Sequence, residues 1–192
     1  EKIDHGINLE KFTYNTQKEK QFVVVGRLTK RKNIESVIRI FLKFKKKYAT
    51  THQLLIIGEG ELKEHLKLFV SSLNLEKEVL FLGFKKHKEL NYIISRSEAL
   101  LTDTKKDLNV VVIYEAIASG TPVLTNLIPL SATDIDKNKL GIAKENWNED
   151  DLYHISKKNT AFVENCIKYR DELSTQTTAK KFIQLYLQII KK

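Results

Sequence analysis

Two carboxylates near the start of a short apolar helix are the residues of this chain best suited to chemistry. Asp107 precedes Glu115 by eight residues, and the following segment 116–124 reads AIASGTPVL. We interpret this stretch as a buried helix, a Gly-Thr-Pro turn and a strand. The amino terminus of a helix attracts phosphate, and carboxylates accept hydrogen bonds from sugar hydroxyls. The spacing therefore predicts a crevice for a ligand that carries both groups.

The elements that must position these residues alternate between strand and helix. Short continuous apolar runs predict strands at 22–25, 53–57, 79–82, 99–102 and 123–125, with a short last strand at 141–143. Helical periodicity predicts helices at 34–48, 62–73, 90–94 and 111–119, and again from about residue 151. Because the strands are uniformly apolar, both faces of the sheet must be covered. The fold class is therefore α/β, a doubly wound parallel sheet of Rossmann-like type with C-terminal helices.

The residues that follow each strand converge on the carboxyl edge of such a sheet, where ligands bind. Gly26, Gly58 and Gly83 each follow a predicted strand directly, and Gly60 lies close behind. Glycine lets a backbone approach a ligand closely. The acidic segment 103–109 reaches the same edge. Glycines and carboxylates are thus predicted to line one crevice.

Composition limits the class of protein. The 192 residues suit one domain or one large lobe, and the net charge of +9 favours anionic partners such as phosphates or acidic lipid headgroups. The basic run at 43–48 is interpreted as the solvated last turn of a helix. Cys166 is the single cysteine, within an apolar helical pattern, which fits a core position and a reducing cytoplasm. The chain contains no methionine and starts at Glu1, so we expect a fragment of a longer protein.

Several segments together resemble the C-terminal, donor-binding lobe of the GT-B glycosyltransferases, in the large retaining family 4 (glycosyl transferases group 1). They are Gly26-Arg27-Leu28 with Lys32, the turn 56–60 with Leu62, the FLGF run at 81–84, the carboxylate pair with the GTPV turn at 107–123, and HGINLEKF at 5–12. The resemblance implies an interlobe segment at 1–20, a nucleotide-sugar-binding lobe at 21–155 and C-terminal helices at 156–192. It also implies that an N-terminal, acceptor-binding lobe is absent from this chain.

The resemblance assigns catalytic roles to three residues. Arg27 and Lys32 would stabilise the β-phosphate of the leaving group, where negative charge develops. Asp107 stands where the family has a glutamate that contacts the hydroxyls of the donor sugar. Aspartate keeps the charge and loses one methylene of reach, which indicates an altered sugar contact.

The donor-binding residues implied by the resemblance follow the same strand ends. Glu115 would hold the ribose hydroxyls. The others are Gly26, Gly58, Glu59, Gly60, Gly83, Phe84, Leu108, Asn109, Val110 and Val111. The glycines that the family has after its first carboxylate are absent here, and Asn109 is expected to cap the helix instead. Phe84 is interpreted as a core residue in preference to a neighbour of the base.

The implied reaction is transfer of a hexose from a UDP- or GDP-sugar, with retention and without a metal or other cofactor. The histidines show no metal-ligand spacing and are expected mostly at the surface, and Asp134-Ile135-Asp136 is interpreted as a polar loop. The acceptor would be a glycan, a lipid-linked sugar or a protein, bound by the missing lobe. We expect a cytoplasmic location, with peripheral association at an anionic membrane, and no nucleic-acid partner.

Two alternatives remain open. A degenerate, non-catalytic subunit that stabilises an active glycosyltransferase would explain the lost glycines and the aspartate at 107. A basic module that binds polyanions or membranes would explain the charge, although no motif beyond the charge supports it. The sequence does not identify the sugar, the base, the acceptor or the oligomeric state.

Overall fold

The computed structural model describes residues 6–190. Six strands are present: β1 Glu19–Val25, β2 Gln53–Ile57, β3 Val79–Gly83, β4 Ser97–Thr102, β5 Val123–Thr125 and β6 Gly141–Ala143. Eight helices surround them: α1 Ile34–Tyr48, α2 Lys63–Ser72, α3 His87–Arg96, α4 Val111–Ala118, α5 Ala132–Lys137, α6 Glu149–Lys157, α7 Asn159–Tyr169 and α8 Thr175–Ile190. Short 3₁₀ turns lie at Leu9–Lys11, Lys30–Lys32 and Arg170–Leu173.

The strands form one parallel sheet in the order β3-β2-β1-β4-β5-β6. This confirms the predicted doubly wound α/β class. The strand order reverses direction between β1 and β4, which are neighbours although they are far apart in the chain. The loops after these two strands diverge to opposite faces and leave a crevice, which is where ligands bind in such sheets.

Alternate residues of each strand enter two separate apolar layers. Phe22 and Leu54 pack with α1, α2 and α6, whereas Val23 and Leu55 pack with α3, α4, α5 and α7. In α1, apolar residues recur every three or four positions from Ile34 to Phe44, and this stripe is buried. Cys166 of α7 is fully buried, as predicted, and burial raises the pKa of its thiol to about 12. Packing on both faces thus fixes the carboxyl edge of the sheet in place.

Two sequence-based expectations fail locally. The strand β1 begins at Glu19, three residues before the predicted start at 22. The segment 134–136 belongs to α5 and not to a loop, because Ile135 is fully buried against the sheet. The last helical region begins at Glu149, close to the predicted start at about residue 151, and the side chain of Asn148 accepts from the first-turn amides. Among the described histidines, His65, His87 and His154 are exposed as expected, whereas His52 is buried with Glu98 2.9 Å away.

The guanidinium of Arg170 holds the segment around Leu9 and Phe12 against the rest of the lobe by hydrogen bonds. It donates to the carbonyl of Ala118 at 2.9 Å, and to those of Leu9 and Phe12 at 2.9 and 2.5 Å. The planar fork of arginine allows one side chain to serve three backbone acceptors. The segment around Leu9 and Phe12 is therefore joined to the end of α4.

We expect Arg170→Met to lower the free energy of unfolding by about 3 kcal/mol, because three carbonyls lose a charged hydrogen-bond donor. Urea denaturation would measure the change. Arg96→Met serves as the control, since Arg96 makes a partly exposed 3.4 Å ion pair with Glu19 and should cost less than about 1 kcal/mol. An equal loss of unfolding free energy in the two variants would show that the three hydrogen bonds of Arg170 do not stabilise the fold.

Within residues 6–190, no helix is both long enough and apolar enough to cross a bilayer.

Candidate active site

A cavity of about 370 Å³ opens at the carboxyl ends of β1, β2 and β3. Its lining residues are Val25, Gly26, Arg27, Ile57, Gly58, Glu59, Phe84, Lys85 and Leu90. The lining combines apolar strand ends with charged side chains. Its size and composition suit a flat organic group attached to an anion.

Glycine backbone conformation keeps this cavity open. Gly58 has φ +135°, and a Cβ there would lie 2.0 Å from the carbonyl oxygen of Gly26. Its amide donates to the carbonyl of Gly83 at 2.9 Å, while the amide of Gly26 donates to that of Ile57 at 3.0 Å. The predicted glycines at these strand ends therefore meet at one edge, where only glycine fits between β1 and β2.

Phe84 lies at the mouth of the cavity with 75% of its surface exposed, so the core interpretation is wrong. The reason is positional, because Phe84 follows the last residue of β3 and the chain has already left the sheet. Glu59 is anchored by Lys63 at 2.9 Å. An exposed aromatic face beside a carboxylate is suited to contact a planar base.

Gly60 was predicted at the site, but it packs elsewhere. A Cβ on Gly60 would lie 2.5 Å from the carbonyl oxygen of Leu28, and the residue does not line the cavity. Its neighbour Leu62 donates its amide to the same carbonyl at 3.0 Å. Gly60 thus holds the loop after β2 against the loop after β1.

Lys32 and Asp107, which the sequence placed 75 positions apart, form an ion pair. The Nζ of Lys32 lies 2.5 Å from Oδ2 of Asp107, and both side chains are largely shielded from solvent. The stem of Lys32 passes over Gly26, where a Cβ would come within 3.2 Å of its Cε. Two of the three predicted catalytic residues are therefore brought together at the switch point of the sheet.

Side chains that the sequence analysis did not single out hold the two loops that carry this pair. Thr104 donates to the carbonyl of Arg31 at 3.1 Å and accepts from the amide of Asp107 at 3.1 Å. Asp103 accepts from Asn33 at 2.8 Å and from Asn126 at 3.1 Å. Apart from the local bond between Thr104 and Asp107, these contacts join residues at least 23 positions apart in the chain, so no local sequence signal could have indicated them.

The first turn of α4 faces the same edge without a side-chain cap. The N-cap position is occupied by Val110, and no side chain caps this turn, so the expected role of Asn109 is wrong. The helix begins one residue too late for the Asn109 side chain to be at its N-cap. The amide of Ile113 donates to the carbonyl of Val110 at 3.0 Å, which leaves the amides of Val111 and Val112 as the helix-terminal donors, the kind of group that binds phosphate oxygens. Val110 is buried, whereas Leu108 and Val111 are exposed.

Glu115 is half-buried one turn into α4. Burial raises the pKa of its carboxyl, and the nearby imidazole of His87 acts in the opposite direction. His87 in turn packs edge-on against Phe12, with ring centroids 4.7 Å apart. His87 and Lys85 were missed as candidates because they follow β3 in a polar run without a distinctive motif. In the part of the chain that the structure describes, no three potential ligands are grouped to hold a metal.

The fold defines a class: a Rossmann-like lobe whose carboxyl edge carries cations, carboxylates and the start of an uncapped helix. The chain belongs to the family "Glycosyl transferases group 1", whose model matches residues 7–173. The resemblance inferred from the motifs is thereby confirmed.

Curated relatives agree with this assignment. The chain is 26% identical to alpha-monoglucosyldiacylglycerol synthase of Acholeplasma laidlawii, over 88% of this chain and 44% of that protein. It is 31% identical to the O-antigen chain mannosyltransferase RfbU of Salmonella typhimurium, over 67% of this chain and 35% of that protein. The chain thus spans less than half the length of either relative.

Among solved structures, the C-terminal domain of the glycosyl transferase group 1 family protein LpcC from Francisella tularensis has the same fold. The TM-score is 0.77 at 19% identity, and the match covers 88% of this chain and 100% of that domain. A likeness at this identity shows the fold alone.

Proposed function

We propose that this chain is the donor-binding part of a glycosyltransferase that transfers a hexose from a UDP- or GDP-sugar to an acceptor. The observation that carries the proposal is that the stem of Lys32, which pairs with Asp107, passes over Gly26, and Gly26 lines the same cavity as Arg27. The cavity would take the nucleoside, with the base against Phe84 and the ribose hydroxyls on Glu115. The diphosphate would lie between Arg27, Lys32 and the first amides of α4.

Arg27 and Lys32 would carry the chemistry by stabilising the charge that grows on the β-phosphate as the glycosidic bond breaks. In the proposed reaction these cations take the place of a metal, and the sugar is transferred with retention. Asp107 would accept hydrogen bonds from the donor sugar. Because Lys32 has three donor hydrogens, it can bind phosphate while it still contacts Asp107.

The acceptor would be a glycan, a lipid-linked sugar or a protein, in the synthesis of a cell-surface polysaccharide or glycolipid. The names of the two relatives, one acting in O-antigen synthesis and the other making a glycolipid, support this range. A cytoplasmic location beside an anionic membrane fits the net charge of +9. We expect little turnover by this chain alone, because transfer requires an acceptor held opposite the donor.

Calorimetric titration with UDP, GDP, ADP and their hexose conjugates tests the donor site. We expect saturable binding of one nucleotide class and an at least tenfold weaker affinity for Arg27→Ala, since a charged hydrogen bond to phosphate contributes about 1.5–3 kcal/mol. Arg39→Ala is the matched control, because Arg39 is exposed on α1 and away from the cavity.

Failure of every nucleotide to bind would contradict the donor site. It would favour the alternative of a non-catalytic subunit, which the lost glycines and the aspartate at 107 also fit. If the Arg27 and Arg39 variants lose the same nucleotide affinity, the effect arises from the net charge of the chain and not from a contact between Arg27 and phosphate.

A further inference from the structure

A second cavity, of about 440 Å³, opens at the amino ends of β1, β2 and β4, on the edge of the sheet opposite the proposed donor site. The last turns of α1 and α6 complete its wall. Because a strand rises about 3.3 Å per residue, roughly 20 Å of β1 separate Lys20 at this cavity from Gly26 at the donor cavity. We call it the amino-edge cavity. Its volume lies in the range of small-molecule sites, roughly 300–1,000 Å³.

A buried imidazole and a largely buried carboxylate lie at the base of the amino-edge cavity. His52 is 6% exposed, and its Nε2 lies 2.9 Å from Oε2 of Glu98 and 3.3 Å from Oγ of Ser156. The Nδ1 of His52 is hydrogen-bonded to the hydroxyl of Thr50, and the ring stacks on Phe22 with centroids 5.1 Å apart. Contacts on both nitrogens and on one face fix the imidazole, so the carboxylate of Glu98 is held in one orientation.

Other polar groups of the amino-edge cavity lack a partner in the protein. Within residues 6–190, Oε1 of Glu98 has no hydrogen-bond partner, although Oε2 of the same carboxylate contacts His52. Lys20 and Lys157 line the cavity, are exposed, and form no ion pair with a described carboxylate. A lysine in the last turn of a helix complements the helix dipole, which accounts for Lys157 of α6 but not for Lys20 of β1.

These groups select a ligand that is both anionic and hydroxylated. Ammonium groups bind phosphate oxygens, whereas a carboxylate oxygen accepts hydrogen bonds from hydroxyl groups. A bare phosphate would use the lysines and be repelled by Glu98, and a neutral sugar would leave both lysines unused. A phosphate ester of a sugar complements both kinds of group. The stacked rings of Tyr48 and Tyr153, 4.0 Å apart, supply an apolar wall for the sugar ring.

We propose that the amino-edge cavity binds a sugar phosphate. The phosphate contacts Lys20 and Lys157, and the sugar hydroxyls donate to Glu98 and exchange hydrogen bonds with Ser156. This site does not depend on the proposed function, because the sheet separates it from the donor cavity. A sugar phosphate and a nucleotide can therefore be bound by the same chain at once.

Calorimetric titration of the chain with the monophosphates of glucose, galactose and mannose tests this site, with the free sugars and inorganic phosphate as comparisons at constant ionic strength. We expect saturable binding of at least one sugar phosphate, about tenfold or more tighter than inorganic phosphate, because the free ion lacks hydroxyls for Glu98. An absence of saturable binding by all three would overturn the proposal. Equal affinity for inorganic phosphate would show an adventitious ion only and would also overturn it.

Two variants separate the roles of the cations and the carboxylate. Lys20→Gln with Lys157→Gln should weaken sugar-phosphate binding at least about tenfold. Glu98→Gln keeps an acceptor for His52 and should weaken sugar-phosphate binding roughly tenfold, while inorganic phosphate binds no more weakly than before because a repelling charge is gone. A loss of both ligands alike in Glu98→Gln would indicate a purely structural role for Glu98 and overturn its assignment to the sugar.

A matched control tests whether net charge alone explains the binding. Lys43→Gln with Lys46→Gln removes two exposed lysines of α1 that do not line the amino-edge cavity. This variant should bind sugar phosphate as the unaltered chain does, and urea denaturation would verify that every variant is folded. A loss equal to that of the Lys20 and Lys157 variant would overturn the proposal.

The donor site provides the last comparison. Arg27→Ala and an excess of UDP should both leave sugar-phosphate affinity unchanged, since Arg27 lines the other cavity. Loss of sugar-phosphate binding in either case would place the ligand in the donor cavity and overturn this inference. Nucleotide binding without sugar-phosphate binding would overturn it and leave the donor site standing. Sugar-phosphate binding without nucleotide binding would support the amino-edge cavity and contradict the proposed donor site.

Discussion

Replacing Glu115 with glutamine is expected to weaken nucleotide binding roughly 10- to 100-fold, because the ribose hydroxyls lose a charged acceptor. The change preserves the shape of the side chain, so the half-buried start of α4 stays intact. Calorimetry at neutral pH would measure the loss. Glu145→Gln, at an exposed position that does not line the cavity, is the control and should bind nucleotide normally.

The raised pKa of Glu115 also sets the pH dependence of this binding. Only the ionised carboxylate accepts from both hydroxyls, so affinity should be full above the raised pKa and fall as the pH is lowered through it. The glutamine variant should lack this decline. Since the folded state holds the proton more tightly than the unfolded chain, the same group lowers stability as the pH rises through this range. A variant whose pH profile matches that of the unaltered chain would contradict a role for Glu115.

Replacing Gly58 with alanine is expected to lower the free energy of unfolding by about 3–5 kcal/mol. The new Cβ would meet the carbonyl oxygen of Gly26 at 2.0 Å, a backbone atom that cannot rotate away. This clash is relieved only if β1 and β2 separate at their carboxyl ends. The cavity would be distorted at the same time, so nucleotide affinity should fall even where the variant is still folded.

Gly83→Ala is the matched control for this prediction. Gly83 also has a positive φ of +66°, but its Cβ would meet only the flexible end of Glu59 at 3.0 Å. The backbone conformation alone should cost about 1–2 kcal/mol. Urea denaturation midpoints compare the two, and an equal loss in both variants would show that backbone conformation, not the close approach of two strands, limits the site.

Glycines that occupy similar positions in the sequence have different neighbours in the fold. Gly26, Gly58 and Gly60 all follow predicted strands, and the sequence predicted one purpose for them. In the folded chain Gly26 and Gly58 meet at the cavity, whereas Gly60 packs on Leu28. A strand end places a residue at an edge, but the loop that follows decides which neighbour it faces. The same reason explains Phe84, whose exposure depends on where the chain turns away from β3.

The amino-acid sequence alone determined the fold class, the six strands and the edge at which the predicted residues gather. Uniformly apolar strands alternating with amphipathic helices permit few other arrangements, since every apolar stretch must be covered and every crossover is right-handed. Local order also placed Glu115 one turn into its helix.

Only the tertiary structure decided which residues meet. The Lys32–Asp107 pair and the hydrogen bonds of Asp103 with Asn33 and Asn126 all join loops that follow different strands. Such contacts depend on the strand order, in which β1 lies beside β4. Side-chain types and spacing along one segment carry no information about that neighbour, because 75 positions of the chain separate Lys32 from Asp107.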